Sequence, residues 1–345
     1  MNMTAKEALT ELIARRDLSR EQMLSVMHQI MSGEYTPVQI AGVLVALRSK
    51  GESVTEIGAA ASVMRELSTK VSLGNPATLV DTCGTGGDGA HTFNISTASA
   101  FVAAAGGVQI AKHGGRSVSS TSGSADVLEA LGVNVNLTPE QVAECVNTVG
   151  VGFMFAPNHH SAMRFAAPVR RELGVRTLFN LLGPLTNPAG AQNQVLGVFS
   201  QDWLRPLAEV LRDLGSRHVL IVHAEEGLDE ISLSGRTFIA EMKNGQVSEY
   251  SVSATDFGLT PAPTESLAVH NVEEACSMLR AALQNSHRAA ADIVALNAGA
   301  ALYIGGKADS LKNSIALARQ IIASGAALAK LQALTDLTQR FNQQA

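Results

Sequence analysis

Between residues 78 and 223 the chain repeats one unit, a short apolar run, a glycine or polar turn, and then a segment of helical length. The runs fall at 78–80, 108–111, 133–135, 151–155, 194–199 and 218–223. This alternation constrains the fold severely. Parallel strands need long crossovers, and helices supplying them cover both sheet faces. An α/β domain with a mostly parallel central sheet is therefore expected. Residues 237–252 read as two polar edge strands around the hairpin signal Asn244-Gly245. From Asn271 onward the pattern is helical again. Aromatics are only 4% of residues, and abundant Ala and Gly suit close helix–sheet packing.

Ahead of Gly74-Asn75-Pro76 the pattern differs. Four short helices are expected, each opened by a capping-box pair: Thr4/Glu7, Ser19/Gln22, Thr36/Gln39 and Ser53/Glu56. Thr138 and Gln141 repeat the device later. Gly33 and Gly51 stop the second and third helices. Met23, Val26, Met27, Ile30 and Met31 form a helical stripe suited to a core or a subunit contact.

Bulk properties exclude several classes. A net charge of −5 without a polybasic tract argues against a nucleic-acid-binding face. Cys83, Cys145 and Cys276 are too sparse for a disulfide framework or zinc motif, which fits a reducing cytoplasm. Charges interrupt the first residues and every long apolar stretch, so neither signal peptide nor membrane span is expected.

The densest chemistry is Asp81-Thr82-Cys83-Gly84-Thr85-Gly86-Gly87-Asp88-Gly89, between a strand and a helix starting near 94–96. Such glycines let backbone amides approach an anion, beside a helix N-terminus. Gly84, Gly86 and Gly89 also fit G-x-G-x-x-G. However, no acid lies between Asp88 and Asp126 to hold a ribose, and the second strand ends in Lys112. Gly306-Lys307-Ala308 is not a Walker A ending. The loop reads as a phosphate site, not a dinucleotide or nucleoside-triphosphate site.

A second loop, Lys112-His113-Gly114-Gly115-Arg116-Ser117-Val118-Ser119-Ser120-Thr121-Ser122-Gly123-Ser124, carries cations, glycines and hydroxyls, with Ser124 expected to cap the next helix. Loops after parallel strands gather at the carboxyl edge, so the two loops should form one multi-phosphate cradle. Asp229-Glu230 follows another strand, and adjacent carboxylates there suit Mg²⁺ beside a pyrophosphate.

With these segments in view, the chain resembles the anthranilate phosphoribosyltransferases. Gly84–Asp88 matches the family's G-T-G-G-D, Lys112–Arg116 nearly matches K-H-G-N-R, and Asp229-Glu230 matches the acidic pair. The stretch Val169-Arg170-Arg171-Glu172-Leu173-Gly174 through Pro188 also matches, and the resemblance spans nearly the whole chain.

The resemblance implies a small N-terminal helical domain plus a larger α/β domain of the nucleoside phosphorylase/phosphoribosyltransferase type. Boundaries are expected at 1–72, with helices from about 160–190 packing on it, and 73–345. It implies a homodimer and a cleft site for anthranilate and 5-phosphoribosyl-1-pyrophosphate (PRPP), in tryptophan biosynthesis. PRPP would be held by Gly84, Gly87, Asp88, Thr92, Asn94, Ile95, Ser96 and Thr97. Its second group of ligands would be Lys112, His113, Gly114, Gly115, Arg116, Ser117, Val118, Ser119, Ser120 and Ser124. Ser96, Asp229 and Glu230 would hold Mg²⁺. Gly84, Gly115 and Arg170 would meet anthranilate, Arg170 through its carboxylate.

Gly115 departs from the family's Asn, which removes an amide from the acceptor site. No general acid or base is assigned, because positioning and electrostatics suffice for a weakly basic aniline nitrogen. His113, His159 and His160 are candidates for the site's lining; His91 and His223 read as exposed and structural. Cys83 reads as a packing residue. Two rivals are a pyrimidine nucleoside phosphorylase, whose chains are longer, and a non-catalytic nucleic-acid-binding relative, which should carry a basic face and a degraded acidic pair.

Overall fold

The computed structural model describes residues 2–116 and 122–344, with side chains through Phe341. Four helices come first: α1 (Ala5–Ile13), α2 (Arg20–Ser32), α3 (Pro37–Lys50) and α4 (Val54–Leu67). All four expected capping boxes are formed, with each hydroxyl accepting the third-position amide. Gly33 ends α2 at φ 83° and Gly51 ends α3 at φ 92°, conformations that cost other residues a Cβ clash. The Met23–Met31 stripe is buried in the core of this bundle.

The strands are β1 (Leu79–Gly84), β2 (Gln109–Gly114), β3 (Val151–Phe155), β4 (Asn193–Gly197), β5 (His218–Ala224), β6 (Thr237–Lys243) and β7 (Gln246–Val252). They form one sheet in the order β3-β2-β1-β4-β5-β6-β7. The first five strands are parallel and the last two antiparallel. Crossovers and cover come from α5 (Ile95–Ala105), α6 (Ser124–Ala130), α7 (Pro139–Val149), α8 (Ala156–His159), α9 (Ala167–Leu173), α10 (Phe179–Leu182) and α11 (Leu204–Asp213). The chain closes with α12 (Val272–Leu283), α13 (Arg288–Ile304), α14 (Leu311–Ala323) and α15 (Ala326–Gln344). Among the described residues no single helix is long and apolar enough to cross a membrane.

Two apolar cores flank the sheet. One joins β1–β3 to α5, α7, α12, α13 and α15. The other joins α1–α4 to α11, to Leu196, Val198, Val219 and Ile221, and to Val169, Leu178, Phe179 and Leu182. The helices after residue 160 thus share a core with the N-terminal bundle.

Four local expectations are corrected. Residues 133–135 form no strand: Val133 and Val135 are buried, but the Asn134 amide donates to Thr338 Oγ1 instead of joining a ladder. β6 is not a polar edge, because it lies between β5 and β7 with Ile239, Ala240 and Met242 buried; of the two hairpin strands, β7 is the edge. Ser124 is the first residue of α6, not its cap. Gly123 precedes it and donates its amide to Asp126 Oδ2 at 2.9 Å. β2 also runs two residues past Lys112, which turns that side chain into the interior.

Candidate active site

The carboxyl ends of β1, β2, β4 and β5 meet at one point. Beyond β1, Gly86, Gly87 and Gly89 adopt φ of 68°, 75° and 73°, so the loop depends on residues without a Cβ. The loop returns through Thr92, which bridges to Ala268, and Phe93, whose amide donates to Leu267. Asp88 Oδ1 accepts the Ala90 amide within the loop.

Helix α5 begins immediately afterwards, with Ile95 buried and Asn94 as its cap residue. The Asn94 side chain exchanges hydrogen bonds with Ser122, at 3.2 Å and 3.1 Å. Thr97 Oγ1 donates to Ser124 Oγ at 3.1 Å. These contacts fasten the first turn of α5 to the end of the second loop, as a shared cradle requires. Ser117, Val118, Ser119 and Ser120, with Thr121, lie outside the described residues.

Lys112 is buried, and its ammonium donates to the Thr82 carbonyl and, at 3.1 Å, to Ser96 Oγ. It therefore supports the cradle from beneath. Lys112 and the Ser96 backbone both act to lower the pKa of the buried Glu230 carboxyl. Gly114 packs on Phe153 and Ser124, and the Gly115 carbonyl accepts the Ala125 amide. Arg116 is taken up by Asp126 at 2.8 Å and Glu129 at 2.6 Å, and it lies over Phe155.

Asp229 descends onto the strand ends and accepts the Gly86 amide at 2.7 Å. Two glycines make room: a Cβ at Gly84 would overlap its carboxylate, and one at Gly197 would overlap its main-chain carbonyl. Burial, then the facing Asp88, pushes the Asp229 carboxyl up to about 7. Burial, then Asp229, raises Glu230 well above the usual carboxylate range, opposed in part by Lys112. Asp88 thus adds negative charge beside Asp229, and Asp229 does the same to Glu230, although among the described residues no three acidic, His or Cys side chains are gathered as a metal-binding group.

Arg170, on α9, is largely desolvated, which lowers its pKa, and its guanidinium lies 5.3 Å from the Phe179 ring centre. Among the described residues no carboxylate pairs with it. His113 donates its backbone amide to Asp81, while its ring lies 5.1 Å from His160. Burial lowers His113 to about 3 and His160 to about 4, so both rings are neutral near pH 7. His159 is also lowered by burial, and its Nδ1 bonds the Thr69 carbonyl. Cys83 is pushed far up by burial and accepts from Gln194, so it is no nucleophile.

Nearly the whole length of the chain matches known proteins. Residues 76–328 match the glycosyl transferase family a/b domain, and residues 6–68 match its helical bundle domain. An anthranilate phosphoribosyltransferase of Methylobacillus flagellatus is 58% identical over 98% of this chain and 99% of its own length. The chain belongs to the anthranilate phosphoribosyltransferase family. A member from Thiobacillus denitrificans is 59% identical over 96% of this chain and 97% of its own. The crystal structure of the family member from Thermus thermophilus superimposes with a TM-score of 0.91, at 46% identity, over 96% of this chain and 99% of that one. A Saccharomyces cerevisiae member, solved in complex with PRPP and Mg, is 26% identical, with a TM-score of 0.88 over 97% and 98% of the two chains.

Family motifs pointed to the cradle, but the contacts of three contributors, two of them within the matching stretch 169–188, were not legible in those motifs. Gly197 is one glycine at a strand end. Asn187 donates to Asp81 Oδ2 and the Ala111 carbonyl, both at 2.8 Å, fixing β1 to β2 beneath the loops. Arg176 donates to the Gly87 carbonyl. The Asn187–Asp81 and Arg176–Gly87 contacts each span more than 80 residues of sequence, where no local pattern reports them.

Proposed function

We propose that this protein transfers the phosphoribosyl group of PRPP to the amine of anthranilate, giving N-(5-phosphoribosyl)anthranilate and pyrophosphate, a step of tryptophan biosynthesis. One observation carries the reading: the Gly86–Asp229 hydrogen bond joins the glycine loop to the Asp229-Glu230 pair, with Ser96 held over Lys112 at the start of α5. This arrangement suits a multi-phosphate substrate with a divalent cation.

Gly84, Gly87, Asp88, Thr92, Asn94–Thr97 and Lys112–Ser120, with Ser124, are the proposed PRPP ligands. Ser96, Asp229 and Glu230 are proposed to hold Mg²⁺, which supplies positive charge to the pyrophosphate as it departs. Loop amides and the N-terminus of α5 add partial positive charge. The bond from carbon 1 of the ribose to oxygen breaks, and its electron pair leaves with pyrophosphate. The anthranilate nitrogen forms the new bond and loses its proton to solvent. Arg170 orients the anthranilate carboxylate, with its desolvated fork free for a bidentate contact. The rings of His113 and His160, neutral near pH 7, add no charge of their own.

A homodimer is proposed to form through the helical bundle. Val38 is 82% exposed and Ile13 74%, with Val45 on the same helix as Val38. Exposed apolar groups in this cluster fit a self-association surface.

The deciding experiment follows anthranilate fluorescence with PRPP and Mg²⁺. Rapid loss of fluorescence that stops on chelation is expected. A steady signal with PRPP and Mg²⁺ present would overturn the reading.

A further inference from the structure

Arg176 lies between α9 and α10, in a stretch whose neighbours Leu178 and Phe179 belong to the core of the helical bundle. Its side chain crosses to the sheet side. The guanidinium stacks 4.2 Å from the Phe199 ring centre and donates Nη2 to the Gly87 carbonyl. A Cβ at Gly87 would stand 3.2 Å from that nitrogen, so the guanidinium covers the loop where it lacks a side chain. One residue earlier the Gly86 amide is bonded to Asp229. The Gly86-Gly87 step is thus where the glycine loop, the acidic pair and Arg176 come together.

The other cations of the cradle are occupied. Lys112 is engaged inward by Thr82 and Ser96, and Arg116 by Asp126 and Glu129. Arg176 has no carboxylate within ion-pair distance among the described residues. A guanidinium carries five N–H donors in a planar fork, and Arg176 commits one of them to a neutral carbonyl. Phe199 fixes the plane of the fork without using its edge.

We propose that Arg176 is a pyrophosphate ligand, held in place by the Gly87 carbonyl until PRPP binds and then bonded to its pyrophosphate. The assignment rests on the PRPP reading above. Breaking the bond at carbon 1 places its electron pair on the pyrophosphate, and the Arg176 fork, at Gly87, is placed to receive that charge. Because Arg176 comes from the helical side and the loop from the sheet side, bound pyrophosphate ties the two together.

The test compares the parent with Arg176→Gln and Arg176→Lys, titrating Mg²⁺-pyrophosphate and, separately, ribose 5-phosphate by calorimetry. For Arg176→Gln the pyrophosphate Kd should rise about 10- to 100-fold, the range of a charged hydrogen bond, with the KM for PRPP rising in parallel. Ribose 5-phosphate binding and the KM for anthranilate at saturating PRPP should stay within about twofold. Arg176→Lys keeps the charge but not the fork, and should recover part of the loss. An unchanged pyrophosphate Kd overturns the assignment. So does equal weakening of both ligands, which would make Arg176 a prop for the loop. Should Arg176→Gln not fold, Arg176→Lys carries the same two-ligand comparison. If the parent does not consume anthranilate with PRPP, the reaction itself is misread, an outcome separate from the pyrophosphate comparison.

Discussion

The Asp229 carboxylate accepts the Gly86 amide at 2.7 Å, so the acid that follows β5 and the loop that follows β1 form one unit. Burial and Asp88 lift this carboxyl from 3.8 to about 7, the direction that favours its neutral form in the folded chain. Its contribution to stability is therefore full below about pH 4 and is lost as pH rises through about 7. Without metal, Asp229→Asn should melt above the parent near pH 8, and the gap should narrow near pH 5. Added Mg²⁺ should raise the parent's melting temperature near pH 8 and leave the variant's almost unmoved. Its turnover should fall about 100-fold or more. A variant melting below the metal-free parent near pH 8 would contradict the electrostatic account.

Gly197 leaves the space that the Asp229 main-chain carbonyl fills. Gly197→Ala should displace the acidic pair, cost about 1–3 kcal/mol in urea unfolding, and remove most PRPP-dependent turnover. Gly58→Ala is the control: it lies within α4 with nothing near its absent Cβ, and should gain about 0.5–1 kcal/mol. Equal effects of the two substitutions would show that close approach at Gly197 is unimportant.

Asn187 satisfies the buried Asp81 carboxylate and a β2 carbonyl together. Asn187→Ala strands both acceptors and should destabilise the fold by about 2–4 kcal/mol in denaturant titration. A loss below about 0.5 kcal/mol would mean that Lys112 and the His113 amide suffice for Asp81.

At Gly115 the backbone does not require glycine, and a Cβ would meet only Ala156, at 4.0 Å. Gly115→Asn should fold normally and lower the KM for anthranilate about two- to tenfold, the value of one added hydrogen bond. Steady-state kinetics decide it; an unchanged KM would mean that an amide at this position does not reach the acceptor.

Val38, on the outer side of α3, is the most exposed of the large apolar residues among those described. Val38→Glu should convert a dimer to a monomer in light scattering after size exclusion, with secondary structure intact. A dimer of undiminished stability would move the interface elsewhere.

The features legible in the sequence are the ones made by near neighbours in the chain. Capping boxes join residues three apart, so Thr4, Ser19, Thr36, Ser53 and Thr138 announced helix starts that the structure confirms. Strand runs bounded by turns gave five parallel strands, and the glycine loop and acidic pair were visible as compact motifs. The apolar run at 133–135 misled, because burial alone does not make a strand: it also needs a neighbouring ladder, and Asn134 bonds Thr338 instead.

Tertiary structure decided what each polar group faces. Lys112 and Arg116 both read as phosphate cations, yet one is anchored inward by Thr82 and Ser96, and the other outward by Asp126 and Glu129. Arg176, Asn187 and Gly197 gained their places only when segments more than 25 residues apart were brought together. Local sequence sets backbone conformation through short-range sterics and hydrogen bonds. The pairing of charges and the room left by a missing Cβ depend on which distant strand ends pack side by side, and that is settled only by the folded sheet.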